Sequence, residues 1–242
     1  MAITSGLIRD ISIDNGDGFE NSVYFSFDID WVSDEVLQHF IELVESANIF
    51  ATVFVTHETE LLEKMRNSEK FDLGIHPNFN FLLNGDFRYG KNFREVIDYY
   101  HKMVPEATVF RSHSLFQSSH VLDYVAEIGF THECNLYIPV SSGINLKPYY
   151  HWSGNMLRVP HYWEDDLNIV YQHNYTANEL VNRYGLKIFD FHPIHLFLNT
   201  SDFLVYENAK TSLNDFELLK TKVNTEKTGV RDIFNSLLNA IK

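Results

Sequence analysis

The stretch FSFDIDW, residues 25–31, ends an apolar run with two carboxylates one residue apart, Asp28 and Asp30. Side chains alternate along an extended strand, so both acids project from the same side. Like charges this close repel, and a metal ion, an arginine or a shared proton would each offset them. Asp, His and Arg recur where other apolar runs stop. His76 follows KFDLGI, Arg111 and His113 follow ATVF, Trp163, Glu164 and Asp165 follow MLRVPHY, and Asp190, His192 and His195 lie in IFDFHPIH. Carboxylates, imidazoles and a guanidinium brought to one pocket are the groups of acid–base catalysis and of divalent-cation binding.

These residues need strands to carry them. SVYFSFDID, ATVFVTH, KFDLGIHP, ATVFRSHS, THECNLYIP, MLRVPHYW and LKIFDFHPI are rich in β-branched and aromatic residues and read as strands. Between them SDEVLQHFIELVESAN, ETELLEKMRNSE, NFREVIDYYHKMV, SSHVLDYVAEIGF and TANELVNRYG carry helical spacing, with Ser33 at the N-cap of the first and RDIFNSLLNAIK as a closing helix. Strands alternating with helices predict a parallel sheet with helices outside. Seven strand candidates predict a closed or nearly closed, seven-stranded (β/α) barrel, an α/β fold in one domain over residues 1–242, with an open doubly wound sheet as the alternative. In a barrel the strand ends open on one face, so residues distant in sequence converge there.

Composition narrows the partners. The hydrophobic fraction is 45%, enough for a real core, and the formal net charge of -14 argues against nucleic acid or an anionic membrane surface. No apolar run is long enough to span a bilayer, MAITSGLIRD lacks the pattern of a secretory leader, and the single cysteine, Cys134, excludes an internal disulfide and suits a small buried apolar role. A cytoplasmic location is the expectation. No Gly-x-Gly-x-x-Gly or Walker-type loop follows the first strand, so nucleotide binding has little support. Oligomeric state is not set by any of these features.

With these motifs in order, the chain resembles the polysaccharide deacetylases of the nodulation-B (NodB) homology type, the fourth carbohydrate esterase family, and in its HPNF and RSHS forms a branch associated with bacterial surface-polysaccharide genes. The resemblance implies a distorted barrel, a divalent metal, most often zinc, and removal of N- or O-acetyl groups from sugars. FSFDID is similar to the family's Asp-x-Asp motif, which implies Asp28 as general base and Asp30 as metal ligand. GIHPNFN supplies His76 but has Asn80 where the family has a second histidine, and only Arg111 matches the third motif. YWEDD is similar to the fourth motif, and FDFHP, with His192, to the last.

Asp30 and His76 give two ligands where a catalytic zinc usually has three. His113 is the expected third, with Asn80 as the alternative through a poorer amide oxygen. Asp28 is expected to take a proton from a metal-bound water, His192 to protonate the leaving amine, and Asp190 to orient or charge that imidazole. Arg111 is expected to offset the carboxylate pair, and Asp165 to fix Arg111. A backbone N–H near the fourth strand is expected to join the metal in stabilising the oxyanion. Trp163, Asn135 and Tyr137 are candidate substrate contacts, Trp163 being equally suited to core packing. Asp165 and Asp166 also fit a solvated turn, and His195 a structural role. The function expected is metal-dependent removal of an N-acetyl, less readily O-acetyl, group from a sugar of a surface polysaccharide or its precursor. The alternatives are an inactive carbohydrate-binding relative and an amidohydrolase for a non-sugar amide.

Overall fold

A computed structural model describes residues 3–14, 16 and 18–242. Its strands are β1 (Thr4–Gly6), β2 (Ser22–Asp28), β3 (Ala51–Val55), β4 (Phe71–Ile75), β5 (Val109–Phe110), β6 (His132–Glu133), β7 (Tyr149–Tyr150), β8 (Leu157–Arg158), β9 (Trp163–Glu164) and β10 (Ile188–Phe191). They form one sheet in the order β7-β8-β6-β5-β4-β3-β2-β10-β9, with β1 also paired to β2. Every pairing is parallel except β7 with β8.

The ends of this order explain the shape. β8 pairs with β6 near one end and β9 with β10 at the other, yet only residues 159–162 separate β8 from β9. A bridge between Tyr137 and His161 fills part of that interval. The sheet therefore curls round towards itself, as a partly closed barrel must. Its order also lacks the reversal that defines a doubly wound sheet, which removes that alternative.

Ten strands among the described residues stand where seven were expected. MLRVPHYW breaks in two at Pro160, which has no N–H to offer a neighbour. β1 and β7 are short, TSG and YY, with too little alternation to signal a strand. The expected strands are also trimmed, β5 and β6 to two residues each, because the chain leaves the ladder as it turns into the site.

Helices pack outside through apolar stripes. Asp34–Ala47 buries Val36, Leu37, Phe40, Ile41 and Val44, with Phe40 against Phe27 at 4.6 Å between ring centroids. Ser33 occupies its N-cap position, but its hydroxyl makes no capping bond. Phe93–Met103 and Ser119–Glu127 form as expected, capped by Asn92 and Ser118. After β10 the chain adds Pro193–Leu198, Phe203–Ala209 and Phe216–Lys220, which cover a second, smaller apolar cluster around Leu198 and Leu219. In β4 a Cβ on Gly74 would lie 2.7 Å from the Val109 carbonyl, so only glycine lets β5 approach here. Among the described residues, no helix is long and apolar enough to cross a membrane.

Candidate active site

The polar residues converge at the carboxyl ends of the parallel strands. Asp28 is the last residue of β2, with Asp30 two residues on; His76 follows β4, Arg111 and His113 follow β5, and His192 follows β10. Asp30 and Trp31 both adopt positive φ, 30° and 55°, a turn that non-glycine residues make only when neighbours hold it.

Asp30, His76 and His113 form a donor group. One ligand atom from each lies within 4.8 Å of the others, with His113 Nδ1 3.3 Å and His76 Nε2 3.5 Å from Asp30 Oδ1. That carboxylate oxygen is buried and has no hydrogen-bond partner. His76 Nδ1 lies 3.0 Å from the Arg111 carbonyl. Its proton therefore belongs there, and the Nε2 lone pair is left facing the cluster, the arrangement by which proteins aim metal-ligating imidazoles. Burial pushes His76 down to about 3, so its ring stays neutral and able to donate. Burial would raise Asp30, but the imidazoles of His113, His76 and His192 around it outweigh burial and hold the carboxyl below its usual range. This donor set fits a divalent cation.

Asn80 turns elsewhere. It opens the short helix Asn80–Leu83, and its amide nitrogen donates to Ser114 Oγ at 3.2 Å. We therefore expect His113→Ala to remove most bound metal at limiting concentration and Asn80→Ala to change it little. Metal content after dialysis checks this, and the opposite ranking would return the third position to Asn80.

Asp28 lies between this cluster and the arginine. Its Oδ2 is 3.4 Å from His76 Nε2, while Oδ1 accepts from Arg111 at 3.0 Å. Burial raises its carboxyl to about 6, with Arg111 and His192 pulling the other way. A base with this affinity suits proton transfer near neutral pH. Arg111 is wholly buried; it also donates to Asp190, to Ser26 Oγ at 3.0 Å and to the Cys134 carbonyl at 3.3 Å. Its guanidinium lies 4.3 Å over the Phe54 ring.

Two expected acid roles are exchanged. Asp190 does not touch His192; it grips Arg111 and accepts from Ser26 Oγ at 2.8 Å. Register explains this: Asp190 pairs with Ser26 across β10 and β2, one layer below the rim. Asp165, expected on Arg111, instead receives His192, with Nδ1 at 2.7 Å from Oδ1 and the backbone N–H at 2.7 Å from Oδ2. It opens the helix Asp165–Tyr171 beside the end of β10, so it is a buried orienting group and not part of a solvated turn. Burial would lower His192, but Asp166 and Asp165 outweigh it and raise the imidazole well above its ordinary value. Its Nε2 faces Asp30 Oδ2 at 3.6 Å.

Other expectations need correcting. Asn135 is buried, and its side-chain oxygen accepts from Ser112 N and Ser112 Oγ, so it braces the loop carrying His113 and does not line the pocket. The backbone N–H groups of Arg111, Ser112 and His113 are all committed, to Ile75 O, Asn135 Oδ1 and Pro77 O, so none of these three serves an oxyanion. Trp163 is a core residue, its ring 4.8 Å from that of Phe191, with only an edge on a small pocket shared with Tyr137. His195 binds Asp166 at 2.7 Å and Thr200 at 3.0 Å, and it also lines the cavity beside Asp30. Cys134 is buried, as expected.

That cavity, of about 100 Å³, opens beside Asp30 and His192 and is walled by Trp31, Tyr206 and the apolar Val36, Ile194 and Leu213. Trp31, Tyr206 and Ser26 were not anticipated. A tryptophan beside a paired acid carries no pattern of its own, and Ser26 is informative only once its register with Asp190 is known.

The WbmS-like polysaccharide deacetylase family matches residues 25–210, the span that holds every candidate ligand, acid and base of this site. The chain belongs to that family. A crystal structure from Bordetella bronchiseptica, described as a candidate polysaccharide deacetylase involved in O-antigen biosynthesis, is similar at 37% identity with a TM-score of 0.90, covering 98% of this chain and 97% of that one. A second, from Mycobacterium smegmatis, also described as a candidate polysaccharide deacetylase, is similar at 15% identity and a TM-score of 0.49 over 71% of this chain and 76% of that one. That likeness is too remote to carry an argument. No curated protein matches the chain. Family membership makes the Asp28–Asp30 end of β2 and the His192 end of β10 parts of a deacetylase fold, and sugar deacetylation the class of activity.

Proposed function

We propose that this chain, as one domain, is a metal-dependent hydrolase that removes an N-acetyl group from a sugar of a bacterial surface polysaccharide or its precursor. The observation that carries the proposal is the convergence of Asp30, His76 and His113, with one Asp30 oxygen unpartnered, between Asp28 on one side and His192 on the other. The similar Bordetella protein, tied by its description to O-antigen biosynthesis, supports the substrate class.

Asp30, His76 and His113 would hold the ion, zinc being favoured by two imidazoles and a carboxylate. When bound, such an ion acidifies a water and polarises the acyl oxygen. The chain's own residues do the rest. Asp28 accepts the proton of the attacking water, and Arg111 holds that carboxylate in place through Oδ1. His192, kept charged by Asp165 and Asp166, holds a proton at Nε2 for the leaving nitrogen. An amine leaves poorly unless protonated, more so than an alcohol, which favours amide over ester cleavage. The apolar wall of Val36, Ile194 and Leu213 suits the acyl methyl and keeps water from that side.

Acetate release, followed over a panel of free, nucleotide-linked and lipid-linked N-acetylated sugars with zinc-loaded protein, tests this. Release from at least one sugar, abolished by a chelator, is expected. Release only from non-sugar amides would make the chain an amidohydrolase, and tight sugar binding without release would make it a binding protein.

A further inference from the structure

A second donor group lies apart from Asp30, His76 and His113. His161, between β8 and β9, Glu164, ending β9, and Asp190, in β10, each place a ligand atom within 4.8 Å of the other two. His161 is wholly buried and the Glu164 side chain is only 13% exposed. His161 Nε2 and Glu164 Oε2 stand 3.6 Å apart, too far for a hydrogen bond. His161 Nε2 and this Glu164 oxygen are buried without a hydrogen-bond partner. Each unpaired atom of this kind costs about 1–3 kcal/mol, and native interiors hold few of them. Two such atoms facing each other, with the Asp190 carboxylate beside them, point to a shared partner.

Charge indicates the kind of partner. Asp28 and Asp190 share the buried Arg111, Glu164 lies beside Asp190, and the other cation felt here, His192, is already paired with Asp165, so carboxyls outnumber cations at this spot. A proton on Glu164 shared with His161 Nε2 would engage those two atoms, but their 3.6 Å separation is too long for that bond and the Asp190 carboxylate would stay outside it. A cation accepts lone pairs from imidazole and both carboxylates together. We propose that His161, Glu164 and Asp190 form a second divalent-cation site. One nitrogen and two carboxylate donors suit zinc, manganese or iron(II). Asp190 already gives Oδ1 to Arg111 and Ser26, which leaves its other oxygen for the ion. The ion would thus brace the Asp190–Arg111–Asp28 chain from below. Glu164 also lines the small pocket with Tyr137, Asn168 and His173, which gives an ion a route in.

Counting ions tests the proposal without any substrate. Untagged full-length protein is stripped with chelator, loaded with excess zinc and freed of unbound metal by gel filtration. Mass spectrometry of the metal then gives ions per chain, and circular dichroism confirms the fold. Two ions are expected in the native chain and one in each of Glu164→Gln, His161→Gln and His76→Ala. A single ion in the native chain, kept in Glu164→Gln and lost in His76→Ala, would overturn the second site and leave the first intact. A single ion lost in Glu164→Gln and kept in His76→Ala would do the reverse. The native count decides even if a variant fails to fold: saturation at one ion excludes two sites.

Discussion

Asp28→Asn is expected to lower kcat for acetate release by about 10²–10⁴-fold, the usual contribution of a positioned general base, with bound metal and fold unchanged. The substitution is nearly isosteric. Its side-chain oxygen can still accept from Arg111, which reaches Asp28 Oδ1 at 3.0 Å, so the buried network stays closed. What disappears is the ability to take a proton at the oxygen that faces His76. The test is pointed because Asp28 and Asp30 lie almost equally far from His76 Nε2, at 3.4 and 3.5 Å. Two observations nevertheless assign them different work: Asp28 is engaged by Arg111, and Asp30 keeps a buried oxygen free beside two imidazoles. Loss of metal together with activity would show the two aspartates exchanged, and an undiminished rate would remove Asp28 as the base.

The sequence was most legible where chemistry coincides with a strand end. The alternation of strands and helices predicted the parallel core, and polar residues closing apolar runs predicted the rim, because in such a sheet every strand end faces the same way. Asp30, His76 and His113 do meet, and Asp28 and His192 flank them. What a single sequence does not carry is depth. Asp190 and His192 lie two residues apart and project from the same side, so alternation alone made Asp190 look like the partner of His192. Register shows otherwise: Asp190 lies level with Ser26, a layer below, where Arg111 reaches it. Asp165 was misplaced for a related reason. Pro160 breaks its strand, and the shift from β8 to β9 carries the following residues across to β10 and His192. Asn135 looked like a pocket residue because it follows a strand, yet its amide is turned inward to Ser112.

Arg111→Met should destabilise the protein by about 3–5 kcal/mol, the range found when one partner of a buried ion pair is removed. Methionine keeps much of the volume and the contact over Phe54, so packing is not the main loss. The loss is electrostatic. Asp28 and Asp190 are both buried and both engaged by Arg111, and without it two carboxylates must either repel in a medium of low dielectric or each take up a proton. Ser26 and the Cys134 carbonyl also lose their donor. Lysine should rescue little, because a single ammonium cannot reproduce a planar fork reaching Asp28, Asp190, Ser26 and a carbonyl together. Adding Asp190→Asn to Arg111→Met should recover part of the stability by removing one of the stranded charges, so the two effects should be strongly non-additive. Equilibrium urea unfolding of the single and double variants measures this. A loss for Arg111→Met below about 1 kcal/mol, the level of an exposed pair, would mean that the carboxylates are neutralised by something other than the arginine, and the bound cations would then be the first candidates.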